Sequence, residues 1–232
     1  MEFFNGVLMG LTALLASLAS LAVYRRLPAS WLCDYGETPE ERHRAAQRCP
    51  GWKKAVPLMW IGALVLLRTA RRMELPGGLL LGAAFFILVP AALSDCDYRI
   101  IPDQAPGALL AAGAVYCTAR PAAFFRTYFC GALLALLLMI ISAALGRLAA
   151  RQEGIGAGDV KLVTACGACL GAAYGGDWTA AVLFFYALSV LSAACWIALL
   201  LLLRRTAYGD GQPMAPWIAA AALLCLASAP GL

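Results

Sequence analysis

Apolar residues run along the chain in blocks far longer than a soluble helix or strand requires. A bilayer core about 30 Å thick takes roughly 20 apolar helical residues to cross. The hydropathy pattern predicts eight such spans, at 3–24, 55–67, 77–94, 105–118, 128–145, 159–176, 178–203 and 214–229. The fourth is short and rich in Ala and Gly. Pro90 falls inside the third, which membrane helices tolerate better than soluble ones. The first span has no basic segment before it and no clear small-residue cleavage site, so it reads as a retained helix and not a signal peptide. The one long polar segment, 25–54, carries Pro28, Pro39 and Pro50 and a short amphipathic stretch. The expectation is an all-α polytopic membrane protein of about eight transmembrane helices. It forms a single membrane domain over 1–232, with no soluble domain and no internal repeat.

Composition strengthens that reading. Of 232 residues, 62% are hydrophobic and 13% charged, against about 25% charged in soluble domains, and the mean hydropathy is +0.78. A secreted disulfide scaffold, a disordered chain and a nucleic-acid-binding module are excluded as the main reading. The net charge of +5 is the residue of loop Arg and Lys, and it reports orientation. Thirteen of the 18 basic residues fall after the first, third, fifth and seventh spans. The positive-inside rule makes those loops cytoplasmic and both termini external. Arg68, Arg71 and Arg72 run against this assignment.

Nine cysteines and one histidine limit the chemistry. Seven cysteines lie in or beside apolar segments, where cysteine acts as a small hydrophobe. Cys166 and Cys169 form a C-x-x-C, but inside an apolar helix the expected role is packing. Cys33 and Cys49 lie in the polar loop with His43. Together with a carboxylate they could supply four zinc ligands, although the spacing fits no standard pattern. His43 sits in a charged run, so neither histidine-dependent triads nor H-E-x-x-H metalloprotease chemistry has a partner here.

The acidic residues carry the information. Most of the 13 sit in loops or at chain ends. The remainder cluster in Ser94-Asp95-Cys96-Asp97-Tyr98-Arg99-Ile100-Ile101-Pro102-Asp103 and in Gly154-Ile155-Gly156-Ala157-Gly158-Asp159-Val160-Lys161-Leu162. Both stretches fall at span ends on the inferred cytoplasmic side. A carboxylate beside hydrocarbon is costly and by default marks a functional site. Two at the same depth suggest a pair sharing one proton, the ionised member activating water and the protonated one polarising a scissile carbonyl. The glycines before Asp159 allow close backbone approach, and the helix start beside it brings a positive dipole end. The bland alternatives are that Asp95, Asp97 and Asp103 are interfacial residues at a helix end, and that Asp159 is an N-cap beside Lys161. A phosphate-cradling loop fits poorly, since no strand precedes the glycines.

At these residues the sequence resembles the type IV prepilin peptidase family, membrane aspartic proteases of the G-x-G-D kind. Asp95, Asp97, Pro102 and Asp103 match the family's D-x-D-x-x-x-x-P-D. Gly156, Gly158, Asp159, Lys161 and Leu162 match its G-x-G-D-x-K-L, and Gly167 and Gly171 match the helix that follows. The resemblance runs from about residue 77 to the C-terminus and only loosely before it. It implies Asp95 and Asp159 as the catalytic aspartates, with Asp97 the runner-up to Asp95. Pro102, Asp103, Gly156, Gly158 and Lys161 are then supporting residues. The implied reaction removes the short basic leader of a prepilin or pseudopilin at the cytoplasmic face of a bacterial cytoplasmic membrane. No cofactor or metal is implied for the cleavage, and the implied partners are the substrate protein and the lipid bilayer, not nucleic acid.

One departure bears on the reaction. Many bacterial members carry two C-x-x-C pairs in the first cytoplasmic loop, bind zinc there and methylate the new N-terminus using S-adenosylmethionine. This chain has only Cys33 and Cys49 in a short loop, which favours a peptidase without methylation. Two other classes remain open on sequence. A transporter would place its carboxylates near the bilayer midplane. A non-catalytic subunit of a pilus or secretion machine would tolerate Asp159→Asn.

Overall fold

A computed structural model describes residues 15–32, 74–150, 155–203, 212–230 and 232. The described residues are helical, with no strand among them. The first helix, α1, is described over Leu15–Arg25 and leads into a 3-10 turn at Ala29–Leu32. There follow α2 (Leu75–Tyr98), α3 (Gln104–Thr118), α4 (Ala123–Ala150), α5 (Ala157–Tyr174), α6 (Trp178–Leu202) and α7 (Ala215–Ala227). Among the described residues, three stretches are long and apolar enough to cross a membrane: Leu75–Tyr98, Ala123–Leu148 and Ala157–Leu202. The last holds α5 and α6, joined by a 3-10 turn at Gly175–Asp177. The expected span at 55–67, the polar loop with Cys33, His43 and Cys49, and the start of the first span lie outside the described residues.

Two boundaries differ from expectation in ways that matter. The third expected span stops at Ser94, but α2 continues one turn further, to Tyr98. The polar Asp95-Cys96-Asp97 run, expected at a span end, lies inside the helix. Tertiary partners hold it helical, and Arg99 ends the helix in the left-handed conformation at φ 60°. The fifth expected span, 128–145, lengthens to Ala123–Ala150, because aromatic and basic residues suit the two bilayer interfaces. Pro90 stays inside an unbroken α2.

α5 is the centre of the bundle. It packs against α3, α4, α6 and α7, while α2 packs against α3 and α7. Its contact with α4 is the closest, and glycine makes it possible. A Cβ at Gly167 would stand 2.7 Å from the Gly131 carbonyl oxygen and collide with the Ala135 Cβ, and one at Gly171 would collide with the Thr127 carbonyl oxygen. Helices in lipid associate through such small-residue faces, since apolar burial alone does not favour helix over lipid. Cys166 and Cys169 are buried free thiols, and the Cys169 thiol donates to the Leu109 carbonyl at 3.4 Å. They pack, as their apolar setting suggests.

Candidate active site

The end of α2, the starts of α3, α5 and α7, and the end of α1 meet at one end of the bundle. Asp95 lies in the last turn of α2 and is 6% exposed. A carboxylate so buried needs donors. The Ala215 N–H supplies one, donating to Asp95 Oδ2 at 2.9 Å, and the Met214 N–H also faces it. First-turn N–H groups have no intrahelical partner and lie at the positive end of the helix dipole, so the start of α7 is suited to a carboxylate. The backbone around Asp95 is also tied. Its carbonyl accepts from the Arg99 N–H at 3.0 Å, and the buried Ser94 hydroxyl donates to the Ile100 carbonyl at 2.6 Å.

Asp159 is the third residue of α5. The N-cap of that helix is Gly156, not Asp159. From the third position the carboxylate reaches back to the Gly156 N–H, the half of a capping box that a first-turn acid provides. Its Oδ2 lies 3.3 Å from where a Gly156 Cβ would stand. Its Oδ1 is buried and has no hydrogen-bond partner among the described residues. Asp159 lies within the electrostatic field of Asp95, and Asp95 lies within that of Arg99. The ends of α2 and α5 thus bring the two carboxylates, 64 positions apart in sequence, into one electrostatic neighbourhood.

The supporting residues of the two motifs also meet. Asp103 Oδ1 and Lys161 Nζ form an ion pair of 2.7 Å, partly open to solvent. It ties the start of α3 to the second turn of α5. An open groove of about 430 Å³ begins at this pair and runs between α3, α4 and α5 past Leu110 and Thr164. Gly158 lies against Ile101, whose Cβ would be 3.1 Å from a Cβ there, and Pro102 is buried beside it. Residues 100–102 interrupt the helices between α2 and α3, as suits Ile101, since the residue before proline avoids the helical region.

Asp97 is placed apart from Asp95. Two positions along a helix are about 200° of rotation, so Asp97 faces α1, where it accepts from the Tyr24 hydroxyl at 2.8 Å. Three contributors to the site were not found from sequence: Tyr24, the Ala215 N–H and Ile101. Each is an ordinary residue near a span end, and only the tertiary arrangement gives it a role.

The Type IV leader peptidase family matches residues 79–203 of the chain, over half its length, and this stretch contains both aspartate motifs. The chain belongs to the type IV leader peptidase family. It is accordingly a protease, and its apolar helices mark it as a membrane protein. No curated protein and no solved structure matches it. The family match reaches neither α1 nor α7, so the hydroxyl on Asp97 and the backbone donor on Asp95 both come from outside the matched stretch.

Proposed function

We propose that this leader peptidase is a membrane-embedded aspartic endopeptidase that cuts the short basic leader from a type IV prepilin or pseudopilin at the cytoplasmic membrane face. One observation carries the reading: half-buried Asp159, whose buried Oδ1 has no hydrogen-bond partner among the described residues, lies within the electrostatic field of buried Asp95. An orphaned buried carboxylate oxygen is costly and is available to a proton, a water or a substrate carbonyl.

The chemistry follows from the donors. Asp95, held by the Ala215 N–H and near Arg99, carries the negative charge and acts as general base on a water placed between the carboxyls. Two close carboxylates cannot both ionise cheaply, so Asp159 carries the shared proton. It hydrogen-bonds the scissile carbonyl, stabilising the oxyanion as water adds. The proton taken by Asp95 then passes to the leaving amine as the C–N bond breaks. Asp103 and Lys161 set the approach of α5 to α3 and touch no reacting atom. The eight-span topology, the inner membrane of a bacterium as location and peptidase action without methylation belong to the same proposal. Cys33 and Cys49, lying outside the described residues, bear on the last of these.

The test is cleavage of candidate prepilins by purified protein in lipid, followed by product mass. Wild type should release the leader, and Asp95→Ala and Asp159→Ala should not. The mature N-terminus should lack the added ~14 Da of a methyl group. Failure of wild type on a panel of prepilins and pseudopilins would overturn the substrate assignment.

A further inference from the structure

We propose that Tyr24 is a positioning residue, whose hydroxyl ties Asp97 to α1 and thereby sets the rotation of the α2 turn that carries Asp95. The inference rests on the aspartic-dyad reading above and extends it to a helix outside the matched family stretch. Tyr24 is 0% exposed, and its hydroxyl donates to Asp97 Oδ2 at 2.8 Å across 73 positions of sequence.

The turn needs such a tie. The last carbonyls of a helix lack intrahelical partners, and helix ends fray. Asp95 and Asp97 are in that last turn, about 200° apart around the axis. The hydrogen bond to Asp97 and the Ala215 N–H on Asp95 therefore grip the turn from opposite sides. With Cα atoms about 2.3 Å from the axis and a carboxyl carbon roughly twice as far out, a ~10° rotation moves the Asp95 carboxyl by about 0.8 Å. A displacement of that size costs up to about 10²-fold in rate. The same tie keeps the second carboxylate of the D-x-D directed away from the dyad.

Prepilin cleavage by the full-length protein in lipid, with kcat and KM measured separately, tests the proposal. Tyr24→Phe keeps the ring and loses only the hydroxyl. It should lower kcat about tenfold with KM within twofold of wild type. Asp97→Ala should lower kcat at least as much, and Tyr24→Phe/Asp97→Ala should be little worse than Asp97→Ala alone, because the Tyr24–Asp97 bond is already lost in that variant. Asp97→Asn keeps an acceptor oxygen and should restore most of the kcat lost in Asp97→Ala. Wild-type kcat in Tyr24→Phe, or losses that multiply in the double variant, would overturn the proposal. A readout independent of activity separates it from the functional reading. In a background freed of native cysteines, Asp95→Cys and Asp159→Cys should crosslink with a short bifunctional thiol reagent, and adding Tyr24→Phe should lower the yield at least twofold. An unchanged yield would overturn the positioning role even if no prepilin is cleaved. A lowered yield without cleavage would support it while counting against the substrate assignment.

Discussion

Replacing Gly167 with alanine tests whether the α4–α5 contact sets the active site. The new methyl would stand 2.7 Å from the Gly131 carbonyl oxygen, where ordinary contact starts at 3.4 Å. The Ala135 Cβ is nearer still, and neither neighbour is the far end of a flexible side chain. The helices must therefore part by at least roughly 0.7 Å, the gap between those two distances. Overpacking of this kind costs about 1–3 kcal/mol. Asp159 is eight residues up the same helix, about 12 Å along its axis, so a shift of α5 reaches the carboxylate. A displacement near 1 Å costs up to about 10²-fold in rate. Gly167→Ala should thus lower kcat for leader removal by ten- to a hundredfold and reduce the unfolding midpoint in detergent. Gly82 is the control. A Cβ there meets nothing within 4 Å, so Gly82→Ala should keep activity and hold or raise stability by up to about 1 kcal/mol. Gly167→Ala with wild-type kcat and wild-type midpoint would refute the argument that glycine contacts locate Asp159.

Other expectations follow from single contacts. Lys161→Met should cost under about 1 kcal/mol in stability, since exposed ion pairs contribute little. It should lower kcat more than that cost suggests, and the exchange Asp103→Lys/Lys161→Asp should recover part of the loss in the cleavage assay. Gly158→Ala brings a methyl to 3.1 Å from the Ile101 Cβ. It should reduce cleavage severalfold, and adding Ile101→Ala should restore it. Gly156→Ala places a methyl 3.3 Å from Asp159 Oδ2 and should lower kcat with little change in substrate KM.

The two aspartate motifs were more legible in the sequence than the helix boundaries. Asp95 and Asp159 stood out because carboxylates at the ends of apolar spans have few structural excuses, and the flanking glycines and lysine completed two recognisable motifs. Placing Asp95 ahead of Asp97 rested on resemblance alone. The separation became physical only when the two side chains were seen on opposite sides of α2, one on Ala215 and one on Tyr24. The last turn of α2 was invisible because Asp95-Cys96-Asp97 has weak helix propensity, and tertiary hydrogen bonds override propensity. The role of Asp159 inside the first turn, with Gly156 as the cap, could not be read either, since carboxylates suit both positions. Gly167 and Gly171 were noted in a motif, yet their reason, a backbone contact with Gly131 and Thr127, depends on which helix lies opposite.

The central claim is that Asp95 and Asp159 form one catalytic pair. The most direct measurement is kcat for leader removal in Asp95→Asn, Asp159→Asn and Asp95→Asn/Asp159→Asn, each confirmed folded by its unfolding midpoint. Groups that act as a unit are strongly non-additive. Each single substitution should lower kcat by about 10⁴-fold or more, and the double should be no slower than the singles. Substantial cleavage in either single variant, or independent losses that multiply in the double, would contradict the account.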